Sequence, residues 1–227
     1  MVVGEMLKFP RTHHVPYSPG VGSDDKVHKK PLPDLDSGYV MLEKMDGENT
    51  TFTKEFIHAR SVNGYPPHWS RSYMKSLWAE ARWLCPPNEA ILGENLTGVH
   101  SIKYEDLPSF FLVFGIRHMR KDVPYVMGWA MTMSRLDMQF NGLLKTVPVI
   151  AHIPGNLVND EKLIMSQFDS YRRRVGREVE GFVLRPANRF PFSEYTELVG
   201  KWVRPNHVQA NEHWMESAPK FNGFPKP

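Results

Sequence analysis

Glu43-Lys44-Met45-Asp46-Gly47-Glu48-Asn49-Thr50-Thr51 is the stretch from which the fold of this chain can be interpreted. It follows the apolar run Tyr39-Val40-Met41-Leu42, which is typical of a buried strand. Asp46-Gly47 predicts a tight turn, because glycine tolerates positive φ and aspartate can bond its own backbone. Residues with β propensity resume at Thr50. The stretch therefore predicts a hairpin with Lys44 at the end of its first strand.

A lysine held at a strand end can act as a covalent nucleophile. Its amine attacks when burial or nearby cations lower its pKa enough to leave it deprotonated. The alternative is a solvated hairpin in which Lys44 balances its acidic neighbours Glu43, Asp46 and Glu48. A Lys-x-Asp-Gly motif arises by chance in roughly a few per cent of chains of this length. The rest of the chain must therefore decide between the two interpretations.

Length and composition predict a globular protein in which a single domain can bury a real core. The chain has 227 residues, of which 41% are hydrophobic and 23% charged. Its net charge of +3 permits a polyanionic partner without requiring one. The single cysteine, Cys85, excludes an internal disulfide and a cysteine-rich zinc site. Membrane-spanning, secretory and lipidation signals are absent, so we expect a cytoplasmic protein without a membrane partner. A protein partner cannot be inferred from the sequence.

The order of predicted elements favours the α+β class with largely antiparallel sheets. Strands outnumber helices and do not alternate regularly with them. We expect an irregular N-terminal segment over residues 1–38, a core domain over 39–207 and a tail with one short helix over 208–227. Further strands are predicted near 56–61, 90–96, 110–117, 147–153, 180–185 and 198–204, and helices near 74–84 (with Ser70 as N-cap), 129–140 and 159–175.

Four charged residues lie within or beside apolar strands: Lys44, Glu94, Glu180 and Lys201. A buried charge is costly unless it is paired or faces a polar cleft. A nucleophilic amine with a second amine suits attack on a nucleotide phosphate, because the second cation stabilises charge on the phosphate oxygens. The carboxylates can hold a hydrated Mg²⁺ or a ribose hydroxyl. An aromatic residue of the strand 110–116 can stack on the base.

This ordered set resembles the covalent nucleotidyltransferase superfamily of ATP-dependent ligases and capping enzymes. Within it, the set is most similar to RNA ligases of the phage and bacterial repair type. Lys44-Met45-Asp46-Gly47 resembles the nucleotidyl-lysine motif, and Glu94 in Gly93-Glu94-Asn95 resembles the ribose-contacting carboxylate. Glu180-Gly181-Phe182-Val183 resembles the carboxylate motif near the metal. The run Leu198 to Arg204 resembles the closing lysine motif, with Lys201 as its lysine.

Three further residues fit the same resemblance. Phe114 is similar to the aromatic that stacks on adenine, Arg60 to the arginine that follows the nucleophile motif, and Asn49 to a polar residue near the adenylated lysine. The closing motif of the family usually has two lysines separated by one residue. Here Val203 stands at the second position, and alternation places the next cation, Arg204, on the opposite strand face. Whether Arg204 replaces the second lysine is left open.

The resemblance implies an adenylation domain whose sheets flank a nucleotide cleft, with ATP and Mg²⁺, or Mn²⁺ in its place, as cofactors and Glu180 near the metal. Lys44 would attack ATP to form lysyl-AMP, pass AMP to the 5′-phosphate of an RNA end or nick, and allow a 3′-hydroxyl to seal the strand. A capping-type guanylyltransferase, a DNA ligase and a non-catalytic nucleotide- or RNA-binding module are the alternatives. The implied catalytic residues are Lys44, Lys201 and Glu180, and the implied cofactor-binding residues are Lys44, Asn49, Arg60, Glu94, Phe114, Glu180 and Lys201.

Overall fold

The computed structural model of the protein describes residues 6–62, 65–120, 123–205 and 219–224. Its strands are His13–His14 (β1), Tyr39–Lys44 (β2), Glu48–Phe52 (β3), Ile57–Ala59 (β4), Glu89–Asn95 (β5), Phe111–Arg120 (β6), Val123–Val126 (β7), Lys145–Thr146 (β8), Val149–Ile153 (β9), Gly181–Pro186 (β10), Phe190–Pro191 (β11) and Gly200–Val203 (β12). Its α-helices are Ser72–Ala81 (α1), Trp129–Phe140 (α2), Glu161–Val175 (α3) and Tyr195–Leu198 (α4).

The strands form two sheets. Sheet A has the order β1-β12-β10-β2-β9, and sheet B has the order β11-β7-β6-β5-β3-β4, with β8 added beside β6. Within the described ranges, every pairing between these strands is antiparallel except β1 with β12 and β6 with β8. The predicted α+β class with largely antiparallel sheets is therefore confirmed.

Helix α3 covers the outer face of sheet A. Asp160 caps its N-terminus by accepting a hydrogen bond from the Leu163 amide at 3.0 Å, and Gly176 ends it at a φ of 62°. Its buried stripe of Ile164, Phe168 and Tyr171 belongs to the same core as Tyr39, Met41, Phe182 and Trp202 of sheet A. The 3.6-residue spacing of this stripe explains why the sequence predicts the helix closely.

Helices α1 and α2 pack against sheet B. Met74, Leu77 and Leu136 share a core with Phe111 and Ile116 of β6. The prediction that Ser70 caps α1 is wrong. The His68 side chain accepts from the Ser70 amide and caps a 3₁₀ turn instead, and α1 begins one turn later at Ser72. Among the described helices, none is long and apolar enough to cross a membrane.

The predicted hairpin after Lys44 is also wrong. Strand β2 belongs to sheet A and β3 to sheet B, so residues 45–47 cross between the sheets. The Asp46 carboxylate accepts from the Ile102 amide at 2.7 Å rather than closing a local turn. A Cβ at Gly47 would lie 2.5 Å from the carbonyl oxygen of Asn95, so this glycine permits close approach to β5. The crossing places Lys44 where the two sheets meet.

The predicted domain boundaries remain a prediction. The N-terminal segment contributes β1 to sheet A and is otherwise without regular strands or helices over residues 6–38. Residues 219–224 return to the body of the protein, where Phe221 forms an isolated bridge with Gly98. The short helix predicted in the tail falls largely on residues outside the described ranges.

Candidate active site

A cleft of about 630 Å³ lies at the junction of the two sheets. Six of the seven predicted site residues line it: Lys44, Asn49, Arg60, Glu94, Phe114 and Lys201. The seventh, Glu180, is buried and contacts Lys44 directly. The structure therefore brings together all the residues that the sequence proposes for one site. Their individual roles remain proposals.

Sheet A presents both lysines on one face. Val183 of β10 pairs with Leu42 on one side and with Lys201 on the other. Lys44 stands two residues beyond Leu42, and alternation along a strand returns it to the same face. Leu42, Val183 and the two lysines all line the cleft. Strand register alone therefore places both lysine side chains on the cleft face of sheet A, with β10 between their strands.

Lys44 is held by a carboxylate. Its Nζ lies 2.5 Å from Glu180 Oε1, at the point where Lys44 pairs with Gly181. Burial favours the neutral amine, but the carboxylates of Glu180 and Glu94 outweigh it and raise the pKa of Lys44. In this charge state the amine is protonated and is not yet a nucleophile.

The three acidic residues that surround Lys44 in sequence each have another partner. Glu43 points to the opposite face of sheet A, where Arg177 donates to both of its oxygens at 2.6 and 2.8 Å. Glu48 accepts two hydrogen bonds from Arg71 Nε at 3.0 and 3.1 Å. Asp46 is bonded to residues 101–102. The alternative in which Lys44 simply balances these neighbours is therefore wrong for Glu43 and Glu48.

Glu94 faces Lys44 from sheet B. Burial is the main cause that raises the pKa of Glu94 to about 8, the nearby Glu180 adds to the rise, and the Lys44 ammonium opposes it. The site thus holds more carboxylates than its lysine can neutralise. Carboxylate oxygens are the ligands that Mg²⁺ and Mn²⁺ prefer, so Glu180 and Glu94 fit a divalent cation. The described residues contain no cluster of three or more His, Cys, Asp or Glu side chains suited to a metal. An ion held here would therefore keep most of its waters.

Asn49 is the cross-strand neighbour of Glu94 in sheet B. Its Oδ1 is buried and has no hydrogen-bond partner among the residues that the structure describes. A buried amide oxygen left unbonded is costly. Because Asn49 lines the cleft, a donor on a bound ligand would satisfy this oxygen.

Phe114 owes its position to a β-bulge. Gly93 pairs with Val113, whereas Leu92 pairs with Gly115, so Phe114 is the extra residue in β6. Arg185 Nη1 donates to the Phe114 carbonyl at 2.9 Å, which satisfies a backbone group that the bulge removes from the ladder. The ring lines the cleft and meets the edge of Phe9, with the two centroids 5.3 Å apart.

Arg60 follows β4 and reaches the cleft from sheet B. Its Nε donates to the Phe9 carbonyl at 3.4 Å. Burial and the neighbouring Arg11 guanidinium lower the pKa of Arg60. Neither arginine has a carboxylate partner among the described residues, so the two charges are available to an anion.

Lys201 and Arg204 have different surroundings. Lys201 Nζ donates to Asp25 Oδ1 at 2.8 Å inside the cleft. Arg204 instead lies 2.5 Å from Glu178, a half-exposed residue outside the cleft. Alternation along the strand predicts that Lys201 and Arg204 point to opposite faces, and in the structure only Lys201 lines the cleft. Arg204 is not placed to act as a second lysine of the closing motif.

Several cleft residues are not indicated by local sequence patterns. The N-terminal segment contributes Phe9, Arg11 and Asp25, and the far side contributes Arg185 and Tyr195. Arg185 stands at the end of a β-type run and could have been noted as a buried charge. Phe9, Arg11 and Asp25 lie in a stretch rich in turn formers, which carries no signal of long-range contact.

Comparisons with known proteins identify the family from a sequence model and the fold from a solved structure. A sequence model of the RNA ligase family matches residues 38–203. No curated protein sequence matches the chain. The Naegleria gruberi RNA ligase solved with pyrophosphate has a TM-score of 0.52 and 16% identity, over 78% of this chain and 55% of that one. It therefore shares the fold.

Two other solved structures are similar at lower TM-scores. A mutant of the Naegleria gruberi RNA ligase with ATP and Mn has a TM-score of 0.47 and 14% identity, over 75% of this chain and 50% of that one. An archaeal ATP-dependent RNA ligase has a TM-score of 0.46 and 15% identity, over 81% of this chain and 50% of that one. The chain thus spans about half the length of these proteins. Because the family model covers most of the chain, the protein belongs to the RNA ligase family.

Proposed function

We propose that this protein is an ATP-dependent RNA ligase that works through a lysyl-AMP on Lys44. One observation carries the proposal: strand register places Lys44 and Lys201 on the same face of sheet A, and both line one cleft with Asn49, Glu94 and Phe114 of sheet B. Membership of the RNA ligase family supports it. The Naegleria gruberi enzyme, a fold relative, has been solved with ATP and Mn, which supports nucleotide and divalent-cation use.

In the first step Lys44 Nζ forms a bond to the α-phosphorus of ATP. The bond from that phosphorus to the bridging oxygen breaks, and pyrophosphate leaves with the electron pair. Lys44 must first lose a proton, and Glu180 Oε1 at 2.5 Å is the nearest acceptor. A divalent cation bound at Glu180 would neutralise phosphate charge and lower the pKa of Lys44.

The remaining residues bind and orient the nucleotide. Lys201 and Arg60 neutralise the phosphate oxygens, where negative charge develops during transfer. Asn49 offers its unbonded Oδ1 to a donor on the nucleotide. Glu94 accepts or donates a hydrogen bond at a ribose hydroxyl, and the Phe114 ring supports the base.

The second and third steps transfer AMP and seal the strand. An oxygen of the RNA 5′-phosphate attacks the phosphorus of lysyl-AMP, the P–N bond breaks, and the amine of Lys44 is regained with a proton. The 3′-hydroxyl oxygen then attacks the 5′-phosphorus, AMP leaves, and a phosphodiester bond remains. No external energy source beyond the first ATP is required.

The activity is tested with nucleotides labelled at the α-phosphate and with defined nucleic-acid ends. We expect a covalent adduct from ATP but not from GTP, and sealing of 5′-phosphate RNA in single strands or at nicks. Labelling by GTP alone would make the protein a guanylyltransferase. Sealing of DNA but not RNA would make it a DNA ligase. Nucleotide binding without an adduct or released pyrophosphate would indicate a binding module.

A further inference from the structure

The N-terminal segment, defined here as residues 9–28, forms one wall of the cleft. It lies ahead of residues 38–203, the part of the chain that matches the family model. Strand β1 within it runs parallel to β12, and His14 stands opposite Lys201 in the register. The Val15 amide donates to the Lys201 carbonyl at 2.8 Å. The segment is therefore bonded to the strand that carries the closing lysine.

Asp25 brings a carboxylate from this wall to Lys201. Its Oδ1 accepts from Lys201 Nζ at 2.8 Å, and its Oδ2 lies 3.1 Å from His14 Nε2. The side chains of Lys201 and Asp25 are only 10% and 14% exposed. A buried ion pair of this kind is sensitive to the loss of either partner, because the other charge is left uncompensated.

A series of polar contacts runs from Val203 through Ser18 and His14 to Asp25. The Val203 amide donates to Ser18 Oγ at 2.9 Å, so the hydroxyl proton of Ser18 can point to His14 Nδ1, 2.7 Å away. That arrangement leaves the proton of a neutral imidazole on Nε2, which lies 3.1 Å from Asp25 Oδ2 without the alignment of a regular hydrogen bond. The Gly22 amide donates to the same carboxylate oxygen at 3.1 Å. Burial and Lys201 lower the pKa of His14, which agrees with the neutral form.

The hydrogen bond to Asp25 favours the charged form of Lys201. Burial and the nearby Lys44 ammonium lower the pKa of Lys201, while the hydrogen bond to Asp25 opposes the shift. Burial disfavours the Asp25 carboxylate, but the hydrogen bonds from Lys201 and the Gly22 amide, together with the Lys201 charge, outweigh that effect and lower the pKa of Asp25 to about 2. Asp25 is thus an anion at every working pH. An ammonium has three donors, and Asp25 occupies one, so two remain for phosphate oxygens.

We propose that Asp25, supported by His14, is a positioning residue that holds the Lys201 ammonium charged and directed into the cleft for the nucleotide phosphate. The inference rests on the proposed function for its catalytic consequence. It makes the N-terminal segment part of the active site rather than a dispensable arm. The opposite possibility is that Asp25 masks Lys201 and must be displaced by the phosphate.

The kinetic test compares Asp25→Asn with Asp25→Glu and with Asp36→Asn, an exposed residue of the same charge outside the cleft. Single-turnover formation of the Lys44 adduct is measured across ATP concentrations. We expect D25N to lower the rate constant at saturating ATP about tenfold to a hundredfold, the cost of losing a charge-assisted hydrogen bond. D25E should restore most of the rate, and D36N should not change it. Partial misfolding of a variant would reduce the final amount of adduct, because fewer molecules react, but would leave the rate constant of the folded molecules unchanged.

A double-mutant cycle tests whether Asp25 acts through Lys201. In a K201A background, D25N should add less than about a twofold loss, because the group that it positions is already absent. Fully additive losses would overturn the proposal. An unchanged or faster rate in D25N alone would also overturn it and would identify Asp25 as a mask.

A titration separates this inference from the proposed function. The pKa of Lys201 is followed by NMR in protein reductively methylated with ¹³C, with K201R to assign the signal. We expect the Lys201 pKa to fall in D25N and to stay unchanged in D36N. If wild type forms no adduct, the proposed function fails, and this titration still decides whether Asp25 holds Lys201. An unchanged pKa in D25N would overturn the inference.

Discussion

Lys44 Nζ and Glu180 Oε1 lie 2.5 Å apart at the junction of β2 and β10, and this ion pair sets the chemical state of the candidate nucleophile. Together with Glu94 it raises the pKa of Lys44, so this candidate nucleophile is protonated in the ligand-free protein. Under the proposed function, activation comes with a bound divalent cation, which would neutralise the carboxylates and lower the pKa of Lys44. In the ligand-free protein, the cleft residues are in place to bind a nucleotide, whereas the Lys44 amine is still protonated and cannot attack.

Replacing Glu180 with Gln should impair adduct formation and change its pH dependence. We expect at least about a tenfold loss at pH 7, because the proton acceptor and a cation ligand are removed together. Losing the carboxylate also lowers the pKa of Lys44, so the residual rate should rise with pH at lower pH values than in wild type. Single-turnover labelling between pH 6 and 9 measures both effects.

The matched control for this change is Glu178→Gln, which removes the same charge from a half-exposed ion pair with Arg204. It should leave the rate and its pH profile unchanged. A Glu180→Gln profile that rises at higher pH than in wild type would contradict the assigned relationship.

Replacing Glu94 with Gln should stabilise the ligand-free protein at high pH. The folded state keeps a proton on Glu94 up to about pH 8, whereas the unfolded side chain releases it near 4.5. The folded state thus binds more protons in this window, and the wild-type free energy of unfolding falls as pH rises through it. Glutamine cannot ionise, so the free energy of unfolding of E94Q should rise relative to that of wild type as pH rises, by on the order of 4 kcal/mol at pH 8.

Urea unfolding at pH 5 and pH 8 measures the free energy of unfolding of E94Q and of wild type. Glu105→Gln, at an exposed position, is the control, and its free energy of unfolding should differ from that of wild type by a similar amount at both pH values. An E94Q protein that is less stable than wild type at pH 8 would show that Glu94 is ionised and well paired in the free enzyme. The same variant should label more slowly with ATP, since Glu94 lines the cleft and is proposed to bond a ribose hydroxyl.

Removal of divalent cations should abolish the adduct. The carboxylates around Lys44 keep its amine protonated in the free enzyme, and a cation is expected to reverse this. Labelling should stop in EDTA and return with added Mg²⁺ or Mn²⁺. Labelling at the full rate in EDTA would mean that the amine is activated without a metal.

The sequence predicts the charged residues of the site well, because they stand out against apolar strands. Lys44 and Lys201 sit in runs whose strand character is unambiguous, and alternation along each strand then decides which face they share. Helix α3 is predicted closely for a similar reason: its capping Asp160, its apolar spacing and its terminal Gly176 agree.

The features that sequence reasoning missed depend on long-range contacts. The turn predicted at Asp46-Gly47 is a crossing between sheets. The prediction failed because a glycine can indicate either a tight turn or close approach to another strand, and Gly47 serves the second purpose. The bulge at Phe114 arises from the pairing of β5 with β6, which no local pattern encodes. Asp25 reaches Lys201 across 176 positions of sequence, from a stretch without periodicity.

The most direct test of the account is the site of the covalent adduct. Wild type, K44A, K44R and K201A are incubated with ATP labelled at the α-phosphate and Mg²⁺, and the modified peptide is identified by mass spectrometry. We predict AMP on Lys44 in wild type, slower labelling of the same residue in K201A, and none in K44A or K44R. An adduct that persists in K44A, or that maps to another residue in wild type, would contradict the account.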